Sequence, residues 1–228
     1  MSETRMPGPL ARRSFLSRMG AGAAAFGAAF GAGSWTQAQS APKSTAAASP
    51  WTPVRHPEDD WFDQPTAKHR FFLDTTTPEA FAQALTFARN FYTGNANGYG
   101  LADADIAQII CARHRSTAFA FNDAMWAKYG KPFAERIDFT DPKTKQTPAT
   151  NYYGAQLTAL VKQGVHLGVC NLTTRSLSQR LAELTGKTQD ETYQELTTNT
   201  VGNAHFVPAG VLGVTRAQEH GYALISIG

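Results

Sequence analysis

From His69 onward the chain alternates between short, continuously apolar runs and longer stretches in which apolar residues recur every three or four positions. HRFFLDT, DIAQIICARH, VHLGVC, HFVPAG and YALISIG have the length and composition of buried strands. Between the first two, Thr77 caps a helix with Pro78 in its first turn, and Phe81, Leu85, Ala88 and Tyr92 fall on one face before Gly94 stops it. STAFAFNDAMWAKYG predicts a short helix closed by Gly130, followed by a polar insertion from Lys131 to Thr150. NYYGAQLTALVKQG places Leu157, Leu160 and Val161 on one helical face. Leu177, Leu181 and Leu184 form the next buried stripe, ending before Gly186, and Thr188 with Glu191 fits a capping box. A short helix through Gln218 precedes the closing strand.

Strands that alternate with helices and are apolar throughout, rather than at every second position, predict an α/β domain whose mainly parallel sheet is covered on both faces. Ligands of such sheets sit beyond the carboxyl ends of the strands. That edge should gather Asp74, then Cys111, Arg113 and His114, then Cys170 and Asn171, then Pro208 to Gly210.

Composition agrees with one compact domain: 42% of the 228 residues are hydrophobic and 17% charged. The net charge of +3 changes meaning with position. Four of the 21 basic residues and one of the 18 acidic ones precede Ala41, leaving 17 of each in the remainder. A neutral domain carries no electrostatic case for nucleic acid or an anionic membrane. The basic residues at the start instead belong to ARRSFLSRMGAGAAAFGAAFGAGSWTQAQS, a paired arginine followed by a 17-residue Ala/Gly/Phe segment, Met19 to Trp35, and small residues near Ala38. This resembles a twin-arginine export signal over residues 1–40, cleaved after Ala38 or Ser40, and implies a periplasmic protein free of the membrane after cleavage. Residues 41–68 read as a tether followed by an extended arm, anchored by Trp51, Trp61 and Phe62, and residues 69–228 as the domain.

The candidate chemistry centres on Cys170, which ends a strand and precedes Thr173 and Thr174, either of which can cap the helix carrying Arg175. A thiol there would face free backbone N–H groups and the positive end of a helix dipole. A lone cysteine is equally a small core residue, and both readings stand. Cys111 ends the neighbouring strand and offers a third: in an oxidising compartment the two can close a disulfide if their Cα atoms come within reach. Arg113 and His114 can hold an anion or belong to a solvated loop. His114, Cys170 and His205 can be imagined as a soft-metal set, but no CxxC, HxxxH or HExxH spacing supports it, so neither metal nor cofactor is expected. His166 suits a hydrogen-bonded core histidine, while His56, His69 and His220 look like surface or arm residues. GNANGYG follows a helix and lacks a Lys-Ser/Thr ending, so it is expected to be a turn.

LVKQGVHLGVCNLTTRS together with FVPAGVLGVTRAQEHGYALISIG resembles the C-terminal half of the DsrE/DsrF-like sulfur-metabolism family, with a looser match in IICARHRSTAFAFNDAMWAKYG. The resemblance implies a three-layer α/β/α fold with a five-stranded sheet, a trimer or hexamer, and a sulfur donor or acceptor protein as partner. Cys170 matches the cysteine that carries persulfide in that family. Arg113, His114, Asn171 and Cys111 would then surround the sulfur. Here Cys-Ala-Arg-His stands where the family commonly has His-Gly. Two further readings remain beside the sulfur relay: a non-catalytic oligomeric binding module and a Cys/His metal carrier.

Overall fold

The computed structural model describes residues 51–64 and 67–227, which belong to a compact unit beginning at Trp51. The export signal read from residues 1–40 lies outside the described residues. Five strands, β1 (His69–Thr75), β2 (Ile106–Ala112), β3 (His166–Cys170), β4 (Ala204–Val207) and β5 (Ala223–Ile227), form an all-parallel sheet in the order β4-β3-β2-β1-β5. The α/β fold is therefore of the three-layer kind with a five-stranded sheet.

The period-two alternation of each strand sorts its side chains between two unequal layers. Phe71, Leu73, Ile110, Leu167 and Val169 face a large core built with α1 (Pro78–Tyr99), α2 (Asp123–Ile137), α3 (Gly154–Lys162), α4 (Asn171–Thr185) and α5 (Gln189–Thr198). Phe72, Ala107, Ile109 and Cys111 face the other way. There they meet α6 (Gly210–Glu219) and a 3-10 turn, Pro57–Phe62, whose Phe62 is fully buried. The arm thus completes the second layer through Trp61 and Phe62, whereas Trp51, expected to anchor it, is 77% exposed.

Several boundaries differ from expectation. α1 runs through Gly94 and Gly98 and ends at Gly100, which takes the left-handed conformation with φ 65°. GNANGYG is therefore helix plus cap and not a turn. A helical glycine costs about 1 kcal/mol relative to alanine, which a helix held by Phe81, Leu85, Ala88 and Tyr92 tolerates, and buried Asn95 donates to the carbonyl of Phe91. The segment after Arg113 splits into a 3-10 turn, His114–Ala120, and α2, capped by the Asn122 side chain and continuing past Gly130 to Ile137. Gly130 is there for space: a Cβ would lie 2.6 Å from the carbonyl oxygen of Pro148. In α4 the buried stripe is Leu177 and Leu181, while Leu184 is 64% exposed. The Gly186 cap and the Thr188–Glu191 capping box form as expected.

Candidate functional site

Asp74, one residue from the end of β1, stands in register with Cys111 on one side and Ser226 of β5 on the other. Its parity directs it to the α6 side of the sheet, where its carboxylate is almost fully buried. The chain leaves β2 at Arg113, whose N–H donates to the carbonyl of Thr75 and to Ser116 Oγ. So held, the guanidinium returns over the sheet edge and forks Asp74, with Nε to Oδ1 at 2.6 Å and Nη2 to Oδ2 at 2.8 Å. Ser226 Oγ donates to Oδ2 at 3.2 Å. The hydrogen bonds to Asp74 raise the Arg113 pKa above its ordinary value.

Gly210 fits this fork into the fold. A Cβ there would come within 2.5 Å of Arg113 Cδ and 2.6 Å of Arg113 Cβ. The first turn of α6 can lie against the arginine stem only because this residue has no side chain. Sequence reasoning placed Gly210 at the edge without a role; its backbone φ is not in the left-handed region, so only the tertiary contact explains it.

Cys170 ends β3 and is itself the residue from which α4 starts, so the strand passes into the helix without a loop. Thr173 and Thr174 lie inside the first turn and do not cap it. Thr173 Oγ1 donates to Cys170 Sγ at 3.3 Å and Thr174 Oγ1 to the Cys170 carbonyl at 3.0 Å. From the opposite side the backbone N–H of Gly210, first residue of α6, donates to the same Sγ at 3.3 Å. Two helix N-termini therefore converge on the sulfur of a residue that is 6% exposed.

The other expected residues divide around this centre. Arg113 is next to it but is engaged by Asp74, so the pair brings a dipole rather than a free positive charge. His114 is exposed in the left-handed region, φ 53°, and among the described residues no hydrogen bond joins it to Cys170. Asn171 is turned to α5, where its Oδ1 accepts from Tyr193 OH at 2.7 Å. Cys111 lies within the core below the edge, and both cysteines are free. Their separation follows from register. Cys111 is opposite Gly168, two residues short of Cys170. One strand spacing combined with two residues of rise gives about 8 Å between Cα atoms, beyond the range a disulfide spans. Burial, and then the Asp74 carboxylate, push the Cys111 thiol strongly upward in pKa, so it stays protonated.

The histidines go elsewhere. His205 lies in the sheet under Trp61, stacked at 4.3 Å between ring centroids, and its Nε2 is 3.0 Å from His166 Nδ1. His114, Cys170 and His205 do not gather, and among the described residues no group of three or more His, Cys, Asp or Glu could hold a metal ion. His220, expected at the surface, is buried. It stacks on Phe62 and its Nδ1 is 2.9 Å from Asp63 Oδ1, so it ties the arm to the end of α6.

No family model and no curated protein matches the chain. A solved structure of a protein of unknown function from Methanobacterium thermoautotrophicum is similar at 16% identity, covering 70% of this chain and 99% of that one, with a TM-score of 0.42.

Proposed function

We propose that the protein is a periplasmic sulfur-relay carrier of the DsrE/DsrF-like kind, with Cys170 as the sulfur-bearing residue. The observation that carries this reading is the pair of donors on Cys170 Sγ, Gly210 N–H and Thr173 Oγ1, at the meeting of two helix N-termini. Donors so placed hold the sulfur at the sheet edge and hydrogen-bond the charge it carries during exchange. Loading is a balanced exchange: the Cys170 thiolate attacks the terminal sulfur of a donor persulfide, an S–S bond forms at Cys170 as the donor S–S bond breaks, and the donor leaves as a thiolate. No oxidant is required. The protonated, unreachable Cys111 cannot resolve the persulfide as a disulfide without moving the sheet, which suits a carrier. Export by the twin-arginine route, and assembly as a trimer or hexamer that passes sulfur to a partner protein, belong to the same proposal.

A second reading, a binding module without sulfur chemistry, is favoured by the aliphatic rim of the site. Leu172 and Val211, the residues that follow Asn171 in α4 and Gly210 in α6, are both well exposed. Peptide mass spectrometry after incubation with a sulfane-sulfur donor separates the two. The carrier gains sulfur on Cys170 and not on Cys111, and Cys170→Ser gains none. Undiminished loading of that variant refutes the assignment. A Cys170 that resists both loading and alkylation in the folded protein selects the binding module.

A further inference from the structure

On the outer side of α6, a cavity of about 350 Å³ opens between the helix and the arm, lined by His56, Glu58, Asp59, Val207, Leu212 and Arg216 among others. Its size falls within the range of small-molecule sites. We propose that it binds a small organic ammonium ion with a short aliphatic body.

The floor is apolar. Val207 closes it from the end of β4, and Leu212 and Gly213 from the side of α6. Gly213 keeps the floor thin, since a Cβ there would press on Val207 at 3.2 Å. The walls carry the charge. Asp59 is only 8% exposed and is paired with Arg216, whose Nε lies 3.5 Å from Oδ2. That arginine is already engaged by Glu219, to which its Nη1 donates. Glu58, on the preceding residue of the turn, is exposed and makes no ion pair among the described residues. The nearby cation, Arg55, donates instead to the Glu219 carbonyl. Asp59 and Glu219 thus share one guanidinium while Glu58 adds a further carboxylate, and an ammonium group offsets that excess of negative charge. Its aliphatic part would cover Val207 and Leu212. An anionic or neutral ligand of the same shape would leave that excess uncompensated.

The site adjoins Cys170 through Val207, its register partner in β4, but the polar partners of the Cys170 sulfur, Thr173 and Gly210, do not line it, and it does not depend on the sulfur reading. The test uses the purified chain and 1-aminohexane, with 1-hexanol and hexanoate as matched probes, followed by amide NMR shifts and calorimetry. The amine should bind saturably, shift the amides of Leu212, Gly213 and Asp59, and exceed both controls by about tenfold or more in affinity. Glu58→Gln, at an exposed position that does not threaten the fold, should weaken binding several-fold. Asp59→Asn should abolish the preference over hexanol, and Cys170→Ser should leave binding unchanged. Equal affinity for the three probes, shifts confined to other residues, no saturable binding of the amine, or an amine affinity indifferent to both acid substitutions overturns the proposal.

Discussion

On the side of the sheet turned to α1 through α5, Phe81, Phe119, Trp126, Phe139 and Tyr153 pack ring against ring, and the strand residues that meet them are mostly aliphatic. On the side turned to α6 the same strands present Asp74, Cys111, Cys170, His166 and His205, covered by one short helix and a 3-10 turn. The polar groups there are paired one by one: Asp74 with Arg113, His166 with His205, Cys170 with two donors. The first side supplies dispersion and burial with little dependence on any single polar contact. The second is thin, and each of its pairs has a geometric requirement. On this second side the polar groups at the sheet edge are held by fixed partners, the arrangement that the proposed chemistry requires.

Truncation should show the contrast most strongly on the aromatic side. Phe119 is fully buried and touches four other rings. Phe119→Ala should cost about 3 to 5 kcal/mol in urea unfolding while leaving sulfur loading of the folded fraction unchanged. Asp74→Ala should cost about 3 kcal/mol, because it strands the mostly buried guanidinium of Arg113, and unlike the first variant it should slow loading. If both variants affected loading alike, the division of labour between the two sides would fail.

Gly210→Ala follows in size. The added methyl meets Arg113 rather than solvent, so either the fork or the start of α6 must move, at about 1 to 3 kcal/mol. Displacing the Gly210 N–H from Cys170 should slow loading about tenfold, the equivalent of one hydrogen bond to a charged group. Urea unfolding and loading rates measured on one preparation test this. A variant of wild-type stability and rate would mean that α6 is not fitted to Arg113.

The aromatic side was the more legible from sequence, for a physical reason. Helical periodicity reports burial, and Phe81, Leu85, Leu157 and Leu177 were found by spacing alone. It does not report where a helix ends when glycine is tolerated within it, which is why α1 and α2 run past Gly94 and Gly130. At the site, strand ends located Asp74, Arg113 and Cys170, because a parallel sheet brings its carboxyl ends together. Partners set by three-dimensional contact were hidden. Nothing in VPAG announces that Gly210 must be bare to accept the Arg113 stem. Nothing in the arm announces that Trp61 will roof His205. Cys111 looked like an edge residue because its offset from Cys170 is a matter of register, which sequence leaves open.

The smallest effect concerns that roof. Burial, then the charge of His166, holds the His205 pKa down at about 4, and burial also lowers His166. In the unfolded chain a histidine titrates near 6.5. Between those values the unfolded state binds more protons than the folded one, so stability rises with pH through the window and falls as the solution is acidified from about 6.5 toward 4. Solvent screening at these half-buried rings keeps the slope shallow. The Glu195 carboxylate, held at about 2 by Lys128, Lys187 and Tyr129 against its desolvation, loses its contribution as pH falls from the ordinary carboxylate range toward about 2. The interval from pH 6.5 to 5 therefore isolates the histidines. Trp61→Ala admits water to His205 and should flatten the slope there, and His205→Gln should flatten it further. Chemical unfolding at a series of pH values measures both. An unchanged slope in the two variants would place the acid sensitivity elsewhere and reduce the Trp61 stack to packing alone, making the arm's cover over the α6 side as indifferent to charge as the aromatic core on the other.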